Sequence, residues 1–286
     1  MKKIIYFIEF IIICFLFFVF KVLGYKLSSN LGFFIGKTFG PLFRSKKLVI
    51  ENLKKSNIQL KKNYNNSANE IFGNYGRIFA EYPFIKNFRK GNLERYIEID
   101  GKKYLDEIKS KNKKVVFISG HFNNFELMAM EIEKSGVDLS AIYRPLNNIF
   151  LNKIMENIRT NYICQKQIKK GRSGTREIIE NLKKGSSIAL MIDQRVREGV
   201  KVNFFGNLAT TTTIPAQLVK KYKCELVPIY IERRSKFHFK MYVSKPIKVG
   251  ENKTLVEITE FLNTVLEKMI LKNPLQWIWT HDRWKK

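Results

Sequence analysis

The hydrophobic positions divide the chain into an apolar beginning and a body in which short apolar runs alternate with amphipathic stretches. Residues 4–20 are almost wholly apolar, and residues 30–43 stay rich in aromatic and apolar side chains. From about residue 96 the pattern changes. The β-branched run at residues 115–119 is typical of a central parallel strand, and the runs at 139–143 and 186–193 predict two more strands.

Helices are predicted between and after these strands, at residues 125–134, 148–160, 173–184, 213–222 and 255–271. Two further strands are predicted side by side at 224–234 and 236–247. Strands that alternate with helices predict an α/β fold with a central, mostly parallel sheet flanked by helices, and the adjacent late strands predict a mixed edge. The polar stretch at residues 63–74 is typical of a surface helix or a linker.

The amino terminus has the features of a membrane anchor. Residues 4–20 would rise about 25 Å as a helix, at the low end of what crosses a bilayer, and they contain one acid, Glu9. A cleaved signal peptide is the alternative, but no A-x-A site follows. Gly32, Gly36 and Gly40 lie four residues apart, which clears one helix face for close packing or marks unrelated loop glycines. We predict an anchor over residues 1–43 and a catalytic domain over 44–286.

Three polar residues, His121, Arg144 and Asp193, each follow the end of a predicted strand. Ligands of parallel α/β sheets bind beyond the carboxyl ends of the strands, so these side chains converge on one crevice if the strands are neighbours. The chain has only 3 histidines. Its position after a predicted central strand makes His121 the leading candidate for a catalytic residue.

His121 and Glu126 are suited to general base catalysis. A neutral imidazole accepts a proton near pH 7, and a carboxylate on its second nitrogen fixes the tautomer. The tight turn between them could join the two side chains. A helix-start acid beside an ordinary loop histidine is the alternative. The chain has no G-x-S-x-G motif, and its other histidines lack metal-ligand spacing, so we expect neither a serine nucleophile nor a metal.

The overall charge favours anionic partners, or it only reflects a Lys-rich composition, since the lysines are scattered along the chain. Lys and Arg number 52 against 25 Asp and Glu, a formal net charge of +27. Anionic lipid surfaces and acidic carrier proteins fit this charge. Nucleic acid is not expected, because the sequence shows no nucleic-acid-binding motif and such a partner leaves the apolar beginning unexplained. The 3 cysteines are widely spaced and show no disulfide or zinc pattern.

Several motifs occur in the order found in one enzyme family. They are NLKK at 52–55, GHFNNFE at 120–126, IYRPLNN at 142–148, MIDQR at 191–195, VNFFGNLATTTT at 202–213 and QWIWTHDRW at 276–284. Together they resemble the bacterial lipid A biosynthesis late acyltransferases, the lauroyl and myristoyl transferases, within the glycerolipid acyltransferase-like superfamily. Two positions depart from that pattern. Asn124 and Phe125 stand where many members have Gly and Trp, and Asp282 replaces an Arg near the end.

The resemblance implies a role for each candidate residue. His121 would be the base and Glu126 its partner, while Arg144 would bind a phosphate or polarise the thioester carbonyl. Arg172, just before a predicted helix, would help to hold an anion, or is a solvated surface charge. The other implied site residues are Asp193 and Gln194, which would shape the site, and Phe204, Phe205 and Gly206, which would form a wall near the acyl chain or belong to the core.

The resemblance also implies a reaction. An acyl carrier protein thioester would donate a fatty acyl chain to a hydroxyl of a Kdo-bearing lipid A precursor, at the cytoplasmic face of the bacterial inner membrane. No cofactor and no covalent enzyme intermediate would be needed. The alternatives are an acyltransferase for another phospholipid or glycolipid, with coenzyme A as a possible donor, and a non-catalytic lipid-binding protein.

Overall fold

A computed structural model describes residues 2–285, apart from the side chain of Arg172. The chain is α/β, as predicted, with a mostly parallel central sheet flanked by helices. The main sheet contains β1 (Ile97–Asp100), β2 (Val115–Ser119), β3 (Leu139–Tyr143), β4 (Lys166–Lys169), β5 (Ser187–Met191), β8 (Glu225–Arg233) and β9 (Phe239–Val243). A separate hairpin is formed by β6 (Val200–Phe204) and β7 (Asn207–Thr211).

The strand order in the main sheet is β1-β9-β8-β2-β5-β3-β4. Neighbours are parallel except β8 and β9, which form an antiparallel pair. This pair lies one strand inside the edge, because β1 adds in parallel to the outer side of β9. The strand β2 lies in the middle of the sheet, and all five of its residues are buried. A β-branched run buried on both faces forms a central parallel strand, as its composition predicts.

The helices in chain order are α1 (Lys2–Phe43), α2 (Lys46–Lys55), α3 (Tyr64–Glu81), α4 (Ile85–Arg89), α5 (Lys102–Ser110), α6 (Glu126–Lys134), α7 (Ile149–Ile158), α8 (Arg172–Lys183), α9 (Ile214–Tyr222) and α10 (Leu255–Lys272). A π-helical turn at Arg159–Ile163 continues α7. Helix α1 breaks at Gly24, where φ is 75°. Among residues 2–285, α1 is the helix that is long and apolar enough to cross a membrane, judged by length and composition.

The glycines of α1 allow close packing against α3. A Cβ on Gly32 would lie 2.4 Å from the Gly76 carbonyl oxygen, and a Cβ on Gly36 would lie 2.3 Å from that of Phe72. The prediction that these glycines clear one helix face is therefore confirmed, and the partner is a helix of the same chain.

Of the two interpretations of residues 63–74, a surface helix or a linker, the structure shows a helix, α3, which is exposed at its start and buried along one face further on. The helix begins after Asn63, which caps it by accepting a hydrogen bond from the Asn66 amide, and it continues to Glu81. Ile71, Phe72 and Ala80 are buried in it. The residues at the start of α3 are polar. The apolar face that packs on α1 therefore becomes apparent only further along the helix.

Candidate active site

The carboxyl edge of the main sheet collects the residues that the sequence singles out. His121 follows β2, Asp193 follows β5, Arg144 follows β3 and Lys170 follows β4. These four strands are neighbours in that order, so the four residues form a row along one edge of the sheet. The expected convergence of His121, Arg144 and Asp193 on one crevice agrees with this topology.

His121 and Asp193 are joined by two hydrogen bonds. The Nδ1 atom of His121 lies 2.8 Å from Oδ1 of Asp193, and the His121 amide donates to Oδ2 at 2.6 Å. Trp277 donates its indole N–H to the same Oδ2 at 2.9 Å. The Asp193 side chain is fully buried, whereas that of His121 keeps 21% of its surface exposed. The His121 amide, the His121 ring and the Trp277 indole thus orient the buried Asp193 carboxylate, while part of the His121 ring stays accessible to solutes.

The two charges shift the pKa values of both groups. Burial lowers the pKa of His121, but attraction to Asp193 outweighs it and raises the pKa above the ordinary value of 6.5. Burial raises the pKa of Asp193, but the His121 charge and the hydrogen bonds outweigh it, so the pKa is lowered. Asp193 therefore stays ionised. Because a carboxylate only accepts hydrogen bonds, Nδ1 of His121 carries a hydrogen and Nε2 is left as the basic nitrogen.

Glu126, the partner that the sequence predicts for His121, is held by Arg159. The guanidinium donates to Oε1 of Glu126 from Nε at 2.9 Å and from Nη2 at 2.6 Å. Glu126 opens α6, and Arg159 follows α7 in the π-helical turn. The place expected for Glu126 at Nδ1 is thus taken by Asp193. Glu126 remains close enough to raise the pKa of His121, after the larger effects of burial and Asp193.

The turn between His121 and Glu126 is fixed by the carboxyl-terminal segment. Asn123 has a left-handed φ of 41°, and its amide donates to the Gln276 carbonyl at 3.0 Å. The side chains of Asn123 and Gln276 are hydrogen-bonded as well, and Phe122 pairs with Trp277 in an isolated β-bridge. Residues 276–277 therefore hold both the turn and, through Trp277, the Asp193 carboxylate.

The remaining residues of the carboxyl-terminal segment are structural. Trp279 and Trp284 are buried and belong to the hydrophobic core. His281 accepts the Arg195 amide N–H on Nε2 at 2.9 Å, and burial lowers its pKa, so it acts as a neutral acceptor. Asn52 of the early NLKK motif donates to the carbonyls of Trp279 and His281, both at 2.9 Å. Asn52 thus fixes the carboxyl-terminal segment to α2.

A buried ion pair lies behind the turn. Arg233 donates to both carboxylate oxygens of Glu81, at 2.8 and 2.9 Å, and both side chains are almost completely buried. Ser29 of α1 donates to Oε1 of Glu81 at 2.7 Å, and Asn124 of the turn donates to Oε2 at 3.4 Å. One carboxylate thus links α1, α3, β8 and the turn that carries His121. Asn124, a departure from the family pattern, makes one of these contacts.

The cations at the edge are Arg144 and Lys170. Both side chains are exposed. The Lys170 amide donates to the Tyr143 carbonyl at 2.8 Å, which fixes the two strand ends side by side. Partial burial of the Lys170 ammonium group lowers its pKa, although the side chain as a whole is exposed, and repulsion from Arg144 lowers the pKa further. Arg172 is the first residue of α8. Its side chain lies outside the described part of the structure, so its predicted anion contact stays a prediction.

The other predicted site residues are the one that follows Asp193 and three at the turn of the β6–β7 hairpin. Gln194 follows Asp193 and is half-buried. Phe204 is fully buried and packs on Trp277 and Trp284, with ring centroids 5.7 and 5.6 Å apart. Phe205 and Gly206, with φ of 50° and 69°, form the two-residue turn of the β6–β7 hairpin. Their contact with an acyl chain stays a prediction.

Sequence reasoning missed Arg159, Glu81 and Lys170. Arg159 had one usable signal, since a buried acid such as Glu126 requires a counter-charge. The partner came from a different helix, however, and no spacing rule connects positions 126 and 159. Glu81 and Arg233 are 152 residues apart. Lys170 follows β4, a strand of four residues that the pattern did not reveal.

Comparisons with known proteins found one matching family and several relatives. The family model described as bacterial lipid A biosynthesis acyltransferase matches residues 1–286. The lipid A biosynthesis palmitoleoyltransferase of Escherichia coli (strain K12) is 24% identical over 222 residues, which are 76% of this chain and 70% of that protein. The lipid A biosynthesis lauroyltransferase of the same organism is 25% identical over 201 residues, or 68% of this chain and 63% of that protein.

Proposed function

Because the chain belongs to the bacterial lipid A biosynthesis acyltransferase family, we propose that it transfers a fatty acyl chain from an acyl carrier protein thioester to a hydroxyl of a Kdo-bearing lipid A precursor. The observation that carries this proposal is the orientation of His121 by Asp193 at the carboxyl edge of the sheet. It leaves Nε2 of an accessible imidazole as a base. Such a base is what the transfer of a thioester-bound chain to a hydroxyl requires.

In the proposed reaction, Nε2 of His121 removes the proton of the acceptor hydroxyl while the hydroxyl oxygen attacks the thioester carbonyl. The tetrahedral oxyanion collapses and the carbon–sulfur bond breaks. The leaving thiolate takes the proton back from the imidazolium. Asp193 stabilises the imidazolium through Nδ1, as an ionised carboxylate does best. A thioester is already activated, so no covalent enzyme intermediate is needed.

Glu126 acts in this proposal through charge and through Arg159. Its carboxylate raises the pKa of His121 and holds the Arg159 guanidinium at 2.6 Å. Arg159 keeps its charge, since burial lowers its pKa but attraction to Glu126 outweighs burial and raises it. A cation fixed beside the base is well placed to stabilise negative charge that develops during the transfer.

Arg144 and Lys170 form the proposed anion site of the substrates. They stand at the ends of neighbouring strands, and their positive charges repel each other. A phosphate of the donor's pantetheine arm or of the lipid acceptor matches two adjacent cations. Arg172, at the start of α8, and Gln194, beside Asp193, would complete the surroundings of this anion.

The net charge and α1 support the proposed setting. A charge of +27 favours an acidic carrier protein and an anionic leaflet, and α1 provides the attachment to the inner membrane. With the active site on the cytoplasmic side, the carrier protein would reach the same edge of the sheet that faces the lipid acceptor.

The test compares donors and acceptors with purified protein in detergent micelles. We expect transfer from acyl carrier protein thioesters to a Kdo-bearing lipid A precursor, and slower transfer from coenzyme A thioesters. Arg144→Ala with Lys170→Ala should raise the KM for the phosphorylated substrate by about tenfold or more, while Lys184→Ala, another exposed lysine on the chain, should not change it. Efficient transfer only to a different lipid would contradict the acceptor assignment.

A further inference from the structure

The first half of α1 is in contact with the catalytic domain along most of its length. Tyr6, Phe10, Cys14, Phe17 and Phe20 recur at helical spacing and are partly or fully buried. Phe17 packs on Phe79 of α3 with ring centroids 5.2 Å apart, and Phe10 packs on Phe150 of α7 at 5.9 Å. The opposite face of the helix, with Ile8, Ile12 and Phe15 exposed, is free to meet lipid.

Asn148 fixes α7 to this helix. Its side-chain amide donates to the Tyr6 carbonyl at 2.8 Å and to Oε2 of Glu9 at 3.0 Å. Its side-chain oxygen accepts from the amides of Phe150 and Leu151 and so caps α7. Glu9, the acid within the apolar stretch, is therefore used to hold α7 against α1.

A small cavity remains between α1, α3 and α7. Its volume is about 160 Å³. This is close to the dry cavity of about 150 Å³ that takes up benzene in an engineered protein, so it has room for roughly six carbon atoms of a chain. The side chains around it are aliphatic or aromatic, apart from the Cys14 thiol. They include Cys14 of α1, Tyr82 after α3, Leu146 before α7 and Met155 within α7.

The cavity adjoins the active site. Tyr82 lines the cavity, and its phenol is close enough to Glu126 and Arg159 for both charges to act on it: burial raises its pKa, and the Glu126 charge raises it further. Met155 stands one helical turn, about 6 Å, before Arg159. Leu146 follows Arg144 by two residues. Three of the lining positions are thus next to residues of the proposed catalytic or anion-binding groups.

We propose that this cavity receives the methyl end of the donor's fatty acyl chain, and that α1 forms one wall of the acyl-binding site as well as anchoring the protein. This inference rests on the proposed acyl transfer. A chain whose thioester carbonyl lies at His121 can pass the Glu126–Arg159 pair and end among apolar side chains. The chains of the lipid acceptor belong to the bilayer, which the outer face of α1 meets.

In this proposal the residues that set the length of the accepted acyl chain line the cavity and do not belong to the β6–β7 hairpin. Phe204 is fully buried and packs on Trp277 and Trp284, whereas the cavity lies between α1, α3 and α7. Cys14 and Met155 line that cavity and are not in ring contact with Phe204. Relatives named for palmitoleoyl and lauroyl transfer show that chain length varies within the family.

Donor selectivity tests the proposal. Met155→Trp should take up part of the cavity, and each methylene excluded should lower kcat/KM by about fourfold, so the longest accepted donor should lose roughly tenfold or more while short donors change little. Met155→Ala should shift the preference to longer chains. Phe15→Trp, which enlarges an exposed residue on the opposite face of α1, is the matched control. An unchanged donor profile in both Met155 variants, or a change that follows acceptor chain length instead, would overturn the proposal.

Alkylation of Cys14 tests occupancy without requiring transfer. Cys14 is partly exposed, whereas Cys164 and Cys224 are buried. A long-chain acyl-pantetheine in which a methylene replaces the thioester sulfur should slow the reaction of N-ethylmaleimide with Cys14 several-fold, and its butanoyl counterpart should not. Equal alkylation rates with both analogues would overturn the proposal. Protection in a protein that transfers no acyl chain would support the cavity and contradict the proposed function, which separates the two failures.

Discussion

His121 and Asp193 are 72 residues apart in the sequence, yet Nδ1 of the imidazole lies 2.8 Å from Oδ1 of the carboxylate. The contact exists because β2 and β5 are parallel neighbours, so the residues that follow them meet at one edge of the sheet. The carboxylate is completely buried and is further held by Trp277. The pair is therefore a fixed feature of the fold, and its chemistry can be tested by removing one charge at a time.

The acid limb of the pH profile should depend on Asp193. Catalysis needs neutral His121, and Asp193 raises the pKa of His121 above 6.5, so activity should fall as the pH drops through a value above 6.5. Asp193→Asn removes the charge that raises the pKa of His121, while burial still lowers that pKa. The acid limb should therefore move to lower pH, and kcat should fall about 10²–10⁴-fold. The profile of kcat/KM against pH reports the pKa of the free enzyme and measures the limb, and kcat on the plateau measures the loss of rate. A limb that stays in place would mean that another group titrates.

Glu126 should prove to be more than a counter-charge for Arg159. Glu126→Gln leaves a guanidinium that is 12% exposed without its partner, which should cost about 3 kcal/mol of unfolding free energy. In Glu126→Gln with Arg159→Met, most of that stability should return, but activity should stay at least about 10²-fold below wild type. Chemical denaturation and acyl transfer are measured on the same samples. A double variant that regains both stability and activity would make the pair purely structural.

The Glu81–Arg233 pair should be a major source of stability. Both side chains are buried, with 0% and 5% exposed, so Glu81→Ala leaves an uncompensated charge and should lower the unfolding free energy by about 3–5 kcal/mol. Lys111→Ala breaks an exposed pair with Glu107 and is the control, expected to cost about 0.5 kcal/mol or less. Denaturant titration in detergent compares them. Equal losses for the two variants would contradict the importance of the buried network.

The packing of α1 on α3 should not tolerate a methyl group at Gly76. A Cβ there would lie 1.9 Å from the Gly32 carbonyl oxygen, so Gly76→Ala must separate the helices and should cost about 1–3 kcal/mol. Gly250→Ala adds a Cβ whose nearest neighbour is 3.9 Å away and serves as the control. Thermal unfolding of both variants is the measurement. A Tm for Gly76→Ala equal to that of the control would show that the helices separate freely.

The sequence predicted most of the sheet because its strands carry strong local signals. The β-branched run of β2 and the apolar runs of β3, β5 and β8 appear close to their predicted positions, and so do the helices that connect them. The strands β1 and β4 were missed since each has only four residues and half-exposed alternation. The order of the strands is a tertiary property, and it decides which side chains meet.

The site shows the same limit. A histidine placed after a central strand was detectable, and so was an acid five residues later. Local spacing favoured Glu126 as the partner at Nδ1, but the adjacency of β2 and β5 brings Asp193 there. The Glu126 carboxylate instead accepts hydrogen bonds from Arg159. Pairing of this kind follows from sheet order and helix packing, which a single sequence does not reveal.

The most direct test is acyl transfer by wild type and His121→Ala, measured with acyl carrier protein thioesters and a Kdo-bearing lipid A precursor in micelles. His121→Asn is a closer match in size and controls for a loss of packing. We expect transfer by the wild type and a loss of about 10²–10⁴-fold or more in both variants, with unfolding free energies close to that of the wild type. Transfer at the wild-type rate by folded His121→Ala would contradict the assignment of His121 as the base.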